Sequence, residues 1–189
     1  MEKADIQALL KQIKSVLGSG TSPNQIWIDV IPSPIGTLLA GASELGLCFL
    51  PFIDSDSLVQ TLGSIKRTHK ATFVYEQNEM LTRCKAQLDS YFDGALTQFD
   101  LEFDLVGTDF QKQVWNELWQ IPFGKTISYK EVAHRINNEK AVRAVGTAIG
   151  ANPVPVILPC HRVIGENGKL VGYSGGLWRK EFLLKLEIK

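Results

Sequence analysis

The chain has 189 residues, of which 44% are hydrophobic and 21% are charged. This is the composition of an ordinary globular protein, and it argues against intrinsic disorder. The 20 Lys and Arg residues balance the 20 Asp and Glu residues, which excludes a uniformly basic nucleic-acid-binding protein. No apolar run is long enough to span a membrane, and the N-terminus lacks the basic and apolar regions of a secretory signal.

The charges are distributed unevenly along the chain. Residues 1–104 carry 8 Lys and Arg against 13 Asp and Glu, whereas residues 105–189 carry 12 against 7. Such an asymmetry indicates a basic face on the C-terminal half, for which a polyanion is a reasonable partner. The alternative is that the excess positive charge is spread around the surface.

Two domains are predicted after a short N-terminal extension. Residues 1–23 predict an amphipathic helix followed by a linker that contains Gly and Ser. Residues 24–104 predict a small α+β domain, and residues 105–189 predict a mostly helical one. The expected fold class is therefore α+β, with a small antiparallel-sheet domain followed by a winged helix-turn-helix-like domain.

The N-terminal domain begins with strand patterns and continues with helix patterns. Three short apolar runs between residues 26 and 52 are separated by turn residues, which predicts an antiparallel meander. The elements expected beyond it are helices near 56–67 and 78–92, a short strand near 72–75 and a last strand at 98–105.

The two cysteines of the N-terminal domain show no catalytic pattern. Cys48 lies in a predicted strand and Cys84 in a predicted helix, where a role in the core is typical. A zinc site formed by these residues with His69 would lack a fourth ligand and closely spaced ligand pairs, so we predict no metal site. Together with Cys160 the number of cysteines is odd, and we expect reduced thiols in a cytoplasmic protein.

The C-terminal half contains two helix-start signatures. Thr108 with Gln111 makes one capping box, and Ser128 with Glu131 makes a second. The second signature opens a short helix, which a tight turn separates from a third helix at 139–150. Two short helices joined by a tight turn are typical of a helix-turn-helix.

The predicted third helix has one apolar face and one face of mostly small residues. Arg143, Ala144 and Thr147 lie opposite the apolar residues. Proteins that read sequence in the major groove usually project several long polar side chains. A small face with one arginine is better suited to close approach at the minor groove, with the arginine reaching into the duplex. Tight packing of this face against another helix is the alternative interpretation.

Cys160 lies in the segment Pro159-Cys160-His161-Arg162-Val163, after an apolar run that contains prolines. A neighbouring imidazole or guanidinium raises the thiolate fraction of a cysteine at neutral pH. Cys160 is therefore a candidate nucleophile. The alternative is that Cys160 packs as a small buried hydrophobic residue and takes no part in chemistry.

The chain beyond Cys160 predicts a wing-like hairpin and a final helix. Asn167-Gly168 favours a tight turn between strands within residues 163–173. A polar loop follows at 172–176, and the last helix is expected over 177–188. Glu187, near the end of that helix, is placed to orient an imidazole, although a solvated surface carboxylate is the commoner fate of such a residue.

Several motifs in this half occur together and in one order. They are Gly107-Thr108-x-Phe110-x-x-x-Val114-Trp115, Ile121-Pro122-x-Gly124-x-Thr126-x-Ser128-Tyr129, Ala141-Val142-Arg143-Ala144-Val145-Gly146, Asn152-Pro153, the Cys160 segment and Gly172-Tyr173-Ser174-Gly175-Gly176. With these motifs the chain resembles the O6-alkylguanine-DNA alkyltransferases, also called methylated-DNA–protein-cysteine methyltransferases. The resemblance is close over residues 107–189 and loose over residues 24–104.

The resemblance implies direct reversal of DNA damage. A damaged guanine would be flipped out of the duplex, and its O6-alkyl group would pass irreversibly to Cys160, with O4-alkylthymine as a second candidate substrate. His161 would act as the base through a water, and Glu187 would orient it. Asn152 would brace the loops around the site, and Tyr129 would donate a proton toward guanine O6 and crowd the phosphate of the flipped nucleotide.

Other residues are implied by the same resemblance to contact the DNA or the flipped base. Arg143 would fill the gap that the base leaves, on the face that also carries Ala144 and Thr147. Backbone carbonyls near Cys160 and Val163 would accept from the guanine amino group. The residues expected to line the substrate pocket are Pro155, Val163, Tyr173 and Ser174.

A thioether is inert, so the resemblance implies a reagent that acts once and needs no cofactor and no metal. Its expected partner is double-stranded DNA containing O6-alkylguanine, and we expect a cytoplasmic monomer without membrane contact. Three alternatives make different predictions. An alkyltransferase-like damage sensor would replace the cysteine, a cysteine hydrolase would turn over, and a helix-turn-helix regulator would read DNA sequence.

Overall fold

The structure is a computed structural model that describes residues 22–56, 58–173 and 175–188. The helix and most of the linker predicted over residues 1–23 therefore lie outside the described residues, as does Ser174. None of the described helices is long and apolar enough to cross a membrane.

The chain divides into two compact units, and no single cut in the sequence separates them. The N-terminal unit runs to Asp89 and also includes Asp100–Val106. The C-terminal unit contains Ser90–Phe99 and the residues from Gly107 onward. The segment at 90–99, which the sequence pattern assigned to the N-terminal domain, thus groups with the C-terminal unit, to which it contributes a buried side chain.

The N-terminal unit contains a four-stranded sheet in the order β3-β2-β1-β4. Its strands are β1 (Gln25–Ile31), β2 (Leu38–Ala42), β3 (Leu47–Phe49) and β4 (Thr72–Val74). The first three form the predicted antiparallel meander. β4 pairs in parallel with β1, so the sheet is mixed rather than purely antiparallel. A parallel neighbour requires a crossover connection, and helix α1 (Leu58–His69) lies within that connection.

The core of this unit lies between the sheet and α1. Alternate residues of β1 are buried, as expected for a strand with one covered face. The buried cluster includes Ile26, Ile28, Val30, Phe49, Leu62 and Ile65.

Helix α2 (Glu79–Phe92) follows the sheet, and the strand predicted at 98–105 does not form. Phe103 makes an isolated bridge to β3. The side chain of Gln87 takes the place of a strand partner for Asp100, because its Nε2 donates to the Asp100 carbonyl at 2.8 Å and its Oε1 accepts from the Asp100 amide at 2.7 Å. The amide and carbonyl of Asp100 therefore form their hydrogen bonds with a side chain of α2 and need no partner strand.

The C-terminal unit is mainly helical, as predicted. Its helices are α3 (Asp109–Trp119), α4 (Tyr129–Arg135), α5 (Val142–Gly150) and α6 (Leu177–Leu186). Both hydrogen bonds of the capping box between Thr108 and Gln111 are present. The Ser128 hydroxyl accepts from the Glu131 amide at 3.0 Å. Helix α5 packs against both α3 and α4. The predicted pair of short helices is therefore present, with a 3₁₀ turn ahead of the second.

The wing-like hairpin expected after Cys160 does not form in the described residues. Strand β6 (Val163–Ile164) instead pairs in parallel with β5 (Ile127–Ser128), the segment just before α4. The Asn167 side chain accepts from the Lys169 amide at 3.1 Å, and the Gly165 amide donates to the Lys169 carbonyl at 2.9 Å. Asn167 thus builds a local turn with its own side chain, and the returning chain forms no second strand.

Candidate active site

Cys160 opens a 3₁₀ turn at the end of a buried loop that follows α5, and it is 5% exposed. Asn152 ties this loop together. Its Nδ2 donates to the Leu158 carbonyl at 2.8 Å, and its Oδ1 accepts from the Val154 amide at 2.9 Å. The Cys160 amide donates to the same Leu158 carbonyl at 2.7 Å. The backbone that carries the thiol is therefore held by one side chain, at the position where the resemblance implied a brace.

Burial and the polar neighbours of the Cys160 thiol shift its pKa in opposite directions. Burial raises the pKa and is the largest effect. A hydrogen bond from Asn152, the positive charge of Lys180 and the amides of Cys160 and His161 all lower it. The net result is a raised pKa, so the thiol is protonated at rest and needs a base to become a nucleophile.

Glu187, which caps the C-terminal end of α6, is the acceptor at the centre of a buried network. Its Oε1 accepts from the Tyr91 hydroxyl at 2.7 Å and lies 2.8 Å from His161 Nε2. Arg162 reaches both oxygens at 2.9 Å, and the Gly124 amide donates to Oε2 at 3.1 Å. Burial acts to raise the pKa of Glu187, but the hydrogen bonds from His161 and Arg162 outweigh it and lower the pKa to about 2.

The two ring nitrogens of His161 have different surroundings. Nε2 faces the Glu187 carboxylate, and this contact assigns the ring proton to Nε2. Nδ1 is buried and has no hydrogen-bond partner among the described residues. Burial is the largest effect on the pKa of His161 and lowers it. Glu187 acts to raise this pKa, whereas the positive charges of Arg162 and Lys180 add to the lowering, and the net result is a lowered pKa. His161 is therefore a neutral imidazole with an available lone pair on Nδ1.

Tyr129 begins α4, and its hydroxyl donates to the Val171 carbonyl at 3.0 Å. The same carbonyl accepts from Lys180 Nζ at 2.8 Å, and Lys180 also donates to the Val163 carbonyl at 2.6 Å. Burial raises the pKa of Tyr129, and a negative charge at Cys160 raises it further. Tyr129, Val163 and the chain at Val171 are thus brought together around Lys180, and the Tyr129 hydroxyl is engaged by the protein itself.

The structure describes three of the four residues that were expected to line the substrate pocket. Pro155 is buried in the loop before Cys160. The Tyr173 hydroxyl is buried and has no hydrogen-bond partner among the described residues. Burial raises the pKa of Tyr173 well above its ordinary value, and Cys160 contributes in the same direction. Ser174 lies outside the described residues.

The small face of α5 is exposed, as the sequence predicted. Arg143, Ala144 and Thr147 are all exposed, while Val145 and Ile149 are buried. The Thr147 hydroxyl donates to the Arg143 carbonyl at 3.2 Å, which satisfies it within the helix. The Arg143 side chain therefore stands on a face without competing long side chains.

Sequence reasoning missed Tyr91 and Lys180. It connected Arg162 with the Cys160 thiol rather than with Glu187, which Arg162 contacts. Arg162 stands inside the Cys160 segment, so its position alone was a signal. Lys180 lies three residues before the buried Leu183 and seven before Glu187, a spacing that places it on the covered face of α6. For Tyr91 there was no local signal, because its partner Glu187 is 96 positions away.

One group of potential metal ligands occurs among the described residues, and it lies in the N-terminal unit. Ligand atoms of Cys48, His69 and Asp104 lie within 4.8 Å of one another, so Asp104 takes the place of Cys84 in the set considered from the sequence. Structural zinc sites need four ligands. Here Asp104 already accepts from the Ser43 hydroxyl at 2.6 Å, and burial raises the pKa of Cys48 to about 11. These donors do not fit a structural zinc ion.

Two family models match the chain. One is described as the ribonuclease-like domain of 6-O-methylguanine DNA methyltransferase and matches residues 26–105. The other is described as the DNA binding domain of 6-O-methylguanine DNA methyltransferase and matches residues 109–189.

Named proteins and solved structures agree with these models. The methylated-DNA–protein-cysteine methyltransferase of Methanosarcina barkeri is 45% identical over 162 residues, which cover 86% of this chain and 97% of that protein. The protein of the same name from Mycobacterium bovis is 58% identical over 101 residues, covering 53% and 61%. The crystal structure of Mycobacterium tuberculosis OGT in complex with DNA has a TM-score of 0.73 and 44% identity, covering 87% of this chain and 92% of that one.

Proposed function

The chain belongs to the methylated-DNA–protein-cysteine methyltransferase family, and we propose that it repairs O6-alkylguanine in DNA by moving the alkyl group to Cys160. The observation that carries this assignment is that the buried Cys160 is followed in the chain by His161, a neutral imidazole held by the ionised carboxylate of Glu187. This arrangement supports the generation of a thiolate inside a closed site.

The first step is removal of the Cys160 proton. His161 holds its ring proton on Nε2 toward Glu187, so Nδ1 is the atom that takes the proton, directly or through a water. Glu187 stabilises the imidazolium that forms, and Arg162 keeps the Glu187 carboxylate ionised throughout. Asn152 and Lys180 stabilise the thiolate, since both lower the pKa of Cys160.

The second step is attack of the thiolate on the alkyl carbon. A bond forms between sulfur and carbon while the bond between guanine O6 and that carbon breaks, and guanine leaves after taking up a proton. Tyr129 is the residue that we assign as the donor toward O6, and its hydroxyl must first leave the Val171 carbonyl. Burial raises the pKa of Tyr129, so it is protonated and able to donate at neutral pH.

Recognition of DNA is assigned to the exposed face of α5. Arg143 is its one long side chain, beside Ala144 and Thr147, and such a face fits close to a groove while Arg143 replaces the flipped base. Val163, Tyr173 and Pro155 are proposed to surround the flipped base, and the Val163 carbonyl would accept from its amino group. We expect the chain to act on double-stranded DNA as a cytoplasmic monomer.

The product is a thioether, which water does not cleave, so each protein molecule should act once. A titration tests this directly. Increasing amounts of protein are incubated with excess duplex containing O6-methylguanine, and the restored guanine is counted at completion. We expect one guanine per protein molecule and no further repair with time. Continued turnover would contradict alkyl transfer to Cys160 and would favour a cysteine hydrolase.

A further inference from the structure

Lys180 occupies an unusual position for a charged side chain. It is fully buried on α6, and its Nζ donates to three main-chain carbonyls. The acceptors are Val163 at 2.6 Å, Val171 at 2.8 Å and Gly172 at 3.3 Å. An ammonium group has three donors, so these contacts use all of them.

The three carbonyls belong to two different segments of the C-terminal unit. Val163 lies in β6, directly after the turn that carries Cys160, while Val171 and Gly172 lie in the chain that returns toward α6. Gly172 has a φ of +51°, a conformation that favours glycine. Burying an ammonium group costs desolvation free energy unless its donors are satisfied. An apolar residue at this position of α6 would avoid that cost. The geometry therefore indicates a role beyond packing.

Tyr129 shares one of these acceptors with Lys180. Its hydroxyl donates to the Val171 carbonyl at 3.0 Å, and Lys180 Nζ lies 5.9 Å from the centre of its ring. If the Tyr129 hydroxyl turns toward a substrate, the Val171 carbonyl loses that donor. With Lys180 present the carbonyl keeps a part-buried hydrogen bond from within the protein.

We propose that Lys180 is a positioning residue for alkyl transfer, which holds the Val163 carbonyl against the Val171–Gly172 segment and allows the Tyr129 hydroxyl to leave Val171 for guanine O6. This inference rests on the proposed function, since it assigns Tyr129 to the leaving base. Without Lys180, Tyr129 is the one remaining donor to the Val171 carbonyl among the described residues, and it is retained there.

Single-turnover transfer rates from duplex O6-methylguanine test this in a double-mutant cycle. Lys180→Met should slow transfer about tenfold or more, because Tyr129 is retained at Val171. Tyr129→Phe should slow the unaltered chain about tenfold or more, but should slow the Lys180→Met chain less than about threefold. Equal factors in both backgrounds, or an unchanged rate in Lys180→Met, would overturn the proposal.

A second readout separates positioning from simple collapse of the loop. Iodoacetamide labelling of Cys160 is followed by peptide mapping as a function of pH. Besides Lys180, the titratable side chains that interact electrostatically with Cys160 are Tyr129 and Tyr173, whose raised pKa values keep them neutral at pH 7. The lowered pKa of the adjacent His161 keeps it neutral there as well. Loss of Lys180 removes a positive charge, so labelling should shift to higher pH without becoming faster at neutral pH. Faster labelling at neutral pH would show that the loop has opened and that Lys180 is merely structural.

Lys185→Met is the matched control, because Lys185 lies on the same helix, is exposed and pairs with Glu181. It should leave the transfer rate within about twofold of the unaltered chain. Should Lys180→Met fail to fold in thermal unfolding, Lys180→Gln replaces it. Its shorter side chain has two N–H donors instead of three, so transfer should slow by less, but the Tyr129→Phe factor should still be smaller than in the unaltered chain, and equal factors would again overturn the proposal. Absence of transfer in the unaltered chain would contradict the proposed function instead, so the two failures are distinguishable.

Discussion

The cysteines of the two units are buried to a similar degree, yet their surroundings differ. Cys48 and Cys84 in the N-terminal unit are fully buried, and burial raises their pKa to about 11 and about 12. Hydrogen bonds from Ser43 oppose burial at Cys48, but the negative charge of Asp104 adds to it, and no positive charge of the described residues is among the causes of either shift. Burial also raises the pKa of Cys160, but a hydrogen bond from Asn152, the charge of Lys180 and two amides act against it. Chemistry at a buried thiol therefore depends on what offsets its burial, and exposure alone does not identify the reactive residue.

Among the changes that test this difference between the cysteines, removal of Cys160 should have the largest effect on alkyl transfer. Cys160→Ala should abolish alkyl transfer while DNA binding is largely retained, because the exposed face of α5 is unchanged. Cys48→Ala and Cys84→Ala are the matched controls and should still transfer one methyl group per molecule. Methyl transfer and DNA affinity are measured on all three variants. Full activity of Cys160→Ala would place the acceptor elsewhere.

Glu187→Gln is expected to have the next largest effect. It removes the charge that holds Arg162 and orients His161, so transfer should slow about 100-fold or more. Loss of one partner of a buried ion pair should also lower the free energy of unfolding by about 3–5 kcal/mol. Single-turnover rates and urea unfolding measure the two effects. Glu181→Gln on the exposed side of α6 is the control, and an equal loss in that variant would contradict a specific role.

Arg143→Ala should have a smaller and substrate-dependent effect. Arg143 is exposed on α5 and is assigned to the gap that the flipped base leaves. Repair of duplex DNA should slow about tenfold, whereas reaction with free O6-benzylguanine should be unchanged, because the free base needs no flipping. The two rates are compared in the same preparation. Equal losses on both substrates would remove the base-flipping role.

Acid should weaken the C-terminal network in two stages. The folded pKa of His161 is lowered below its ordinary 6.5, so the unfolded chain binds the proton first and stability falls as the pH drops below about 6.5. The folded pKa of Glu187 is about 2 against an ordinary 4.5, so its contribution is complete above pH 4.5 and is lost as the pH falls toward 2. The second stage is worth about 3 kcal/mol. Urea unfolding at several pH values measures both stages, and constant stability from pH 7 to 3 would contradict them.

Local signals in the sequence predicted much of the C-terminal unit. The capping box at Thr108, the N-cap hydrogen bond of Ser128 and the small exposed face of α5 are confirmed. At Ser128 only half of the predicted capping box is shown, because the Glu131 carboxylate accepts from Arg135. These features depend on residues three or four positions apart, so a linear pattern contains them.

Contacts between residues far apart in the chain could not be predicted from the sequence pattern. Strand β6 pairs with β5 rather than with its own continuation, since Asn167 completes the turn locally. Tyr91 and Lys180 gain their partners through tertiary packing, from segments that no local pattern connects. The proposed roles of Asn152 and His161 came from a resemblance, whereas that of Glu187 was first suggested by its position near the end of the last helix. The observed hydrogen bonds of these three residues support the proposed roles.

The most direct test of the central claim is the intact mass of the protein after incubation with a duplex that contains O6-methylguanine, followed by peptide mapping. We predict the addition of one methyl group, about 14 Da, located on the Cys160 peptide and saturating at one per molecule. An unchanged mass, or a methyl group on Cys48 or Cys84, would contradict the assignment of Cys160 as the acceptor.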